Sequence, residues 1–246
     1  MLKIITLITK FILVAIIALL FASCNHSINL NSIKGSGNIT TEKRIVEGNF
    51  KSIEVSNSID VVIEQSNETG IMVEADDNLQ KHISTTVENG ILVISCDETY
   101  FINTEVMKVT VKMPVIEQLE ASSDASITSK NTIKGENIAL NTSSAATIDL
   151  IIEADDITCD SSSGSTIKIN GLALNIQLSA SSGSAIDAKN LASNEVTADV
   201  SSGATINTNA IVSLDAEASS GGSISYSKEP KSIRKESNSG GSISRI

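Results

Sequence analysis

Two histidines, three cysteines and two pairs of adjacent aspartates are the residues of this 246-residue chain singled out as able to support chemistry. Nucleophile–base catalysis needs a base poised near neutral pH within reach of its nucleophile. His26 lies in a polar stretch near the N-terminus, and His82 stands alone beside a strand-like run. His82 therefore reads as a surface residue, and the pair offers neither a triad nor a zinc site built from several histidines. Cys24, Cys96 and Cys159 contain no CxxC spacing. Cys96 and Cys159 are free to pair in an oxidising compartment. Cys159, however, falls in an apolar column described below and reads as a small buried hydrophobe. Asp76-Asp77 and Asp155-Asp156 supply carboxylates, but calcium asks for several convergent oxygens. Neither pair sits in the Gly-rich nonapeptide pattern of calcium-binding repeats, so both read as solvated turn acids. No catalytic, cofactor-binding or metal-binding residue is assigned.

Composition narrows the function further. Net charge is −11, and −13 once the two lysines of the first 23 residues are set aside. That balance disfavours nucleic acid and anionic headgroups as partners, since both need basic patches. Aromatic residues make up 2% of the chain and Trp is absent. Enzymes that cleave polysaccharides on parallel β-helices need clustered acids or bases beside aromatic platforms. Neither is evident, and the chain reads as a non-enzyme. With few rings for bulk, the interior must be filled by Ile, Val, Leu and Ala, which suits a narrow core of repeated layers.

The N-terminus reads as an address. Lys3 and Lys10 bracket the start of an apolar stretch that runs to Phe21-Ala22-Ser23-Cys24. A basic start, an apolar run and small residues before a cut site make a secretory signal over residues 1–23. A transmembrane span over residues 4–22 would place Lys10 at costly depth. A thiol directly after Ala-Ser resembles the bacterial lipobox, with Phe21 where Leu is usual. That resemblance implies a diacylated Cys24 as first mature residue, a membrane partner through this anchor, and a short tether over 24–34. Asn25-His26-Ser27 carries no acid beside the cysteine, which by known sorting rules implies the outer membrane.

The elements that must carry any site are set by a repeat. Serine pairs recur at Ser122-Ser123, Ser143-Ser144, Ser162-Ser163, Ser181-Ser182, Ser201-Ser202 and Ser219-Ser220, with a degenerate copy at Asn238-Ser239-Gly240-Gly241. An isoleucine follows each: Ile127, Ile148, Ile167, Ile186, Ile206, Ile224 and Ile243, at gaps of 21, 19, 19, 20, 18 and 19. Alternation within each copy indicates strands. Aligned copies give an inward column of Ile138, Ile157, Ile176, Val196, Leu214 and Ile233. A second holds Leu119, Leu140, Cys159, Leu178, Ala198 and Ala216. A third group, Leu172, Leu191 and Ile211, is placed inward near the next bend. One copy cannot bury its apolar face alone, whereas stacked copies can. The chain is therefore all-β, with a right-handed parallel β-solenoid of about 19-residue coils over 117–246. Lys228, Lys231, Arg234, Lys235 and Arg245 mark its last coil as a polar cap.

Residues 35–116 are strand-rich and less regular, with a hairpin turn at Asn89-Gly90, and are expected to mix antiparallel pairs with wider coils over the solenoid's first end. Gly35-Ser36-Gly37-Asn38, Phe50-Lys51-Ser52-Ile53-Glu54-Val55, Val73-Glu74-Ala75-Asp76-Asp77-Asn78-Leu79, Val87-Glu88-Asn89-Gly90-Ile91-Leu92-Val93-Ile94 and Val109-Thr110-Val111-Lys112-Met113-Pro114 precede the Ser-Ser-Gly coils in that order. This ordered set resembles the auto-transporter adhesin head family, the GIN domain, over residues 35–246. The resemblance implies a secreted or lipid-anchored β-solenoid and carries over no functional residues. The resulting expectation is a non-enzymatic envelope lipoprotein acting as an adhesin or binding module, with an envelope protein or glycan as ligand. The alternatives are an accessory envelope protein without its own ligand and, behind it, a polysaccharide-active β-helix enzyme.

Overall fold

Stacked aliphatic ladders organise the chain. The computed structural model describes residues 32–97 and 100–246, so the signal over 1–23 and Cys24 lie outside the described residues. The strands of the first half are β1 (Ser32–Lys34), β2 (Ile39–Arg44), β3 (Ser52–Val55), β4 (Asp60–Gln65), β5 (Gly70–Asp76), β6 (Ile83–Glu88), β7 (Ile91–Cys96), β8 (Tyr100–Ile102) and β9 (Met107–Met113). Those of the second half are β10 (Gln118–Ala121), β11 (Ser126–Ser129), β12 (Ile133–Thr142), β13 (Thr147–Ser161), β14 (Thr166–Ala180), β15 (Ala185–Val200), β16 (Thr205–Thr208), β17 (Ala210–Ala218), β18 (Ser223–Tyr226), β19 (Ser232–Ser237) and β20 (Ser242–Arg245). Among the described residues no helix is long and apolar enough to cross a membrane.

Two parallel ladders run through the unit Ile33–Ile246. One stacks β7, β3, β10, β12, the second halves of β13 to β15, then β17 and β19. The other stacks β9, β4, β11, the first halves of β13 to β15, then β16, β18 and β20. Together they form a parallel β-solenoid of about seven turns with coils of about 19 residues. The isoleucine column is continuous by register from Ile127 to Ile243, and Val61 and Val109 extend it at the other end. From Val109 through Ile224 its members are fully buried. Each buried Ile or Val adds about 1.5–3 kcal/mol relative to exposure, so the ladder is a dominant source of cohesion.

The layer order departs from chain order at the start. The layer of β7 and β9 lies outside that of β3 and β4, and β10 and β11 pack on the opposite side. Residues 114–117 therefore cross the β3–β4 layer. Antiparallel strands close the outer side, as the sequence implies: β6 on β7 through Asn89-Gly90, β5 on β9, and β2 on β5. Both turn residues of that hairpin have positive φ, 52° and 82°, the signature of a two-residue primed turn.

The third inward group needs correction. Leu172 and Ile211 do not face inward: they are 57% and 45% exposed, while Leu191 is buried opposite Gly171. Strand β15 carries one extra residue between the positions facing Lys168 and Asn170. Beyond this bulge, Leu172 faces Ala192, and Leu191 slips onto the inward column. Asn170-Gly171 lies inside β14, where a Cβ on Gly171 would stand 2.0 Å from the Ile152 carbonyl oxygen.

At the far end Lys235 does fall opposite Ala216 in an inward column. Its Nζ donates to the Tyr226 hydroxyl at 2.6 Å and lies 4.5 Å from that ring's centroid. A cation drawn over the last buried ring blunts an otherwise open strand edge.

Candidate functional site

Chemistry-bearing residues are placed by the end layers. His82 is not a surface side chain: it is 15% exposed, with Nδ1 2.6 Å from Asp97 Oδ2 and its ring 5.7 Å from that of Phe101. Register makes the pair, since β6 and β7 pair Ile83 with Cys96 and put His82 and Asp97 next along the same rungs. Among the described residues no three of His, Cys, Asp and Glu converge to hold a metal. Cys159 is buried in its column with a free thiol. Burial, reinforced by Asp160, pushes its ionisation far above the ordinary range. Cys96 is half-buried and free, pushed up to about 11 by burial and then by Asp97.

Asp76 is not a solvated turn acid, whereas Asp77 is exposed in the turn after β5, and the two form a clasp. Asp76 is fully buried; Oδ1 accepts the Gly37 N–H at 2.6 Å and Oδ2 the Glu105 N–H at 3.1 Å. Asp77 accepts from Ser36 Oγ at 2.6 Å and from Asn38 Nδ2 at 2.9 Å, and these bonds hold its carboxyl below the usual range. Asn78 accepts from the Ser36 N–H and donates to the Lys34 carbonyl. Two sequence motifs, Gly35–Asn38 and Asp76–Asn78, thus fasten the incoming arm to the capped end. Sequence reasoning also missed the buried hydroxyl ring of Thr142, Ser161 and Ser165, joined at 2.9–3.0 Å beside one corner.

What remains is surface, and each coil presents three faces. On the first, outward columns are acidic and polar: Glu54, Glu120, Asn141, Asp160, Ser179, Asp199, Glu217 and Glu236 lie in successive register. On the second, Ser126, Thr147, Thr166, Ala185, Thr205, Ser223 and Ser242 form a hydroxyl column broken at Ala185. Beside it, Lys168 pairs with Asp149 at 2.7 Å. The third face is different. Ile151, Leu172, Leu174 and Ile211 are 45–57% exposed there. A shallow groove of about 430 Å³ runs across Leu172, Leu174, Ala192 and Ile211. It meets a cleft of about 570 Å³ between the crossover at Pro114–Glu117 and Lys134–Ala139. Asp155 and Asp156 stand exposed on this rim.

Comparison with known proteins places this geometry. A family model described as "Putative auto-transporter adhesin, head GIN domain" matches residues 49–230. A crystal structure from Bacteroides fragilis described as a "putative adhesin" is 23% identical, covers 87% of this chain and 100% of its own, and superposes with a TM-score of 0.81. A second from Parabacteroides merdae, described likewise, is 20% identical, covers 88% and 99%, and gives 0.71. A "putative lipid binding protein" from Parabacteroides distasonis is 21% identical, covers 87% and 99%, and gives 0.73. At these identities the likeness is one of fold. No curated protein matches the chain.

Proposed function

Because this chain belongs to the auto-transporter adhesin head GIN-domain family, we propose that it is a non-enzymatic binding module of the bacterial cell envelope. It is held by acyl chains on Cys24 to the outer membrane and displays the solenoid's faces to an envelope protein or glycan. Family membership and a long, repeating, strand-built surface support this reading. Each buried acyl methylene adds about 0.8 kcal/mol, and two or more chains hold a protein stably.

Two measurements test the two halves of the proposal. Metabolic labelling with a palmitate analogue should mark the intact protein and not Cys24→Ser, which should leave the outer-membrane fraction. Equal labelling of both would remove the anchor. The immobilised intact protein should capture a defined envelope protein or glycan, and capture no stronger than that by an unrelated solenoid would remove the binding role.

A further inference from the structure

We propose that the third face of the solenoid docks a cationic amphipathic helix of a partner polypeptide, a proposal that rests on the binding-module reading and names its site. Outward columns on the other two faces are mostly acids, amides and hydroxyls, and Lys168 and Arg234 there are each paired with an acid. Here Leu172, Leu174 and Ile211 are 57%, 49% and 45% exposed, and they line one groove of about 430 Å³. Solvated aliphatic side chains gathered in one groove mark an interaction surface more often than scattered ones do.

The rim selects the occupant. Lys134 pairs with Glu153 at 2.7 Å and is neutralised. Glu136, Asp155 and Glu195 are exposed beside the groove, with no ion-pair partner among the described residues. Lysines or arginines flanking an apolar stripe complement such a rim. A second copy would bring three more unpaired acids against these, and an anionic bilayer would be repelled likewise. Sugar rings would find no aromatic platform, since no Phe, Tyr or Trp lines the groove.

The groove has the length for a short helix. The groove crosses the coils of Lys134, Glu153, Leu172, Ala192 and Ile211. Four steps of about 4.8 Å give about 19 Å, the length of about 13 helical residues at 1.5 Å each. A helix laid along the groove sets apolar residues at i, i+3 and i+4 onto the leucines and its basic flanks onto the acids.

The probe is a fluorescent Leu/Lys peptide of helical amphipathic pattern, with a Leu/Glu peptide of identical pattern beside it, titrated by anisotropy against the intact protein. The Leu/Lys peptide should bind saturably and more weakly as salt rises. Leu172→Ser/Leu174→Ser, which leaves every charge in place, should weaken it at least tenfold. Glu136→Lys/Asp155→Lys should do the same and flatten the salt dependence. Both variants alter exposed side chains, and unchanged melting temperatures would show that they fold. Equal binding by the intact protein and both variants would overturn the proposal, as would equally tight binding of the Leu/Glu peptide. A dimer of the intact protein lost in the Leu→Ser variant would assign the face to a second copy instead. Full capture of an envelope ligand by a Leu→Ser variant that no longer binds the helix would remove this face from the function and leave the binding-module reading standing.

Discussion

The serine-pair corner of each coil from Ser122 onward holds two consecutive residues in the left-handed region. The first is a serine, from Ser123 at φ 51° to Ser239 at 47°. The second is glycine at Gly164, Gly183, Gly203, Gly221 and Gly240, but Asp124 at 63° and Ala145 at 65° hold the same place. An L-residue with a Cβ is disfavoured there by roughly 1–2 kcal/mol. Ala145→Gly should therefore stabilise the protein by about 1 kcal/mol, raising the melting temperature about 2–4 °C. Gly164→Ala should cost about as much, because its Cβ would meet nothing within 4 Å and only the backbone conformation resists it. Calorimetry of the two variants checks the argument, and a destabilised Ala145→Gly would contradict it. The strands between corners obey a sharper rule. Ile186 is fully buried in its ladder, while Asp187 faces out to Lys189 at 3.0 Å. Ile186→Asp puts an unpaired carboxylate in a dry column and should destabilise by about 3 kcal/mol or more. Asp187→Ser removes a surface pair worth about 0–1 kcal/mol. Urea midpoints that fall equally for both would refute the inward assignment.

At the scale of elements, the clasped arm is held by hydrogen-bonded carboxylates rather than by apolar burial. Replacing Asp76 by Ala removes the acceptor of the part-buried hydrogen bonds from the Gly37 and Glu105 N–H groups and should cost about 1 kcal/mol. Trypsin cleavage at Lys34 or Lys43, compared between the variant and the intact protein, would detect the loosened arm. The clasp also carries a pH dependence. Hydrogen bonds from Ser36 and then Asn38 hold Asp77 below the ordinary aspartate value of 3.8. A hydrogen bond from Lys130 does the same for Glu64, below 4.5. Both folded-state values are depressed, so their contribution is present above the unfolded values and is lost as pH falls through the folded ones. The melting temperature should decline below about pH 4.5, and less steeply in Asp77→Asn. An identical acid profile would deny the clasp its role. These elements were unequally legible in the sequence. Columns through Leu140 and Ile157 could be read residue by residue, because stacked coils force like over like. The third column could not, because the β15 bulge shifts register by one. The 20-residue gap from Ile186 to Ile206 was its trace. The His82–Asp97 pair was implicit in Asn89-Gly90, for a two-residue turn there fixes His82 against Asp97. The Asp76 clasp left no such trace, since it joins segments 39 residues apart.

At the scale of the molecule, the repeat confers cohesion that is local along the axis and global across it. Each coil touches its two neighbours, so stability is close to a sum of coil and interface terms. Excising Thr166–Ser184 joins Ser165 to Ala185 and keeps a complete Ser-Ser-Gly corner. It sets Ile186 over Ile148, Leu191 over Ile152, Val196 over Ile157 and Ala198 over Cys159, pairs of the same inward parity as those they replace. The shortened protein should fold cooperatively, keep its β-type circular dichroism and melt lower, because one layer interface is gone. The layer of β3 and β4 differs, although it too is one coil. It lies between the layer of β7 and β9 and that of β10 and β11, which the chain reaches by the crossover at 114–117. Removing residues 52–65 would force β7 and β9 against β10 and β11 across a connection sized for the missing layer, and no folded species should form. Cys159 offers the readout. Buried and with its ionisation raised, it should resist thiol reagents in the native state and in the Thr166–Ser184 deletion, reacting only as fast as the whole ladder opens. Rapid labelling of Cys159 in the deletion would mean that its coils do not close over the gap, and that neighbour contacts alone do not hold this solenoid together.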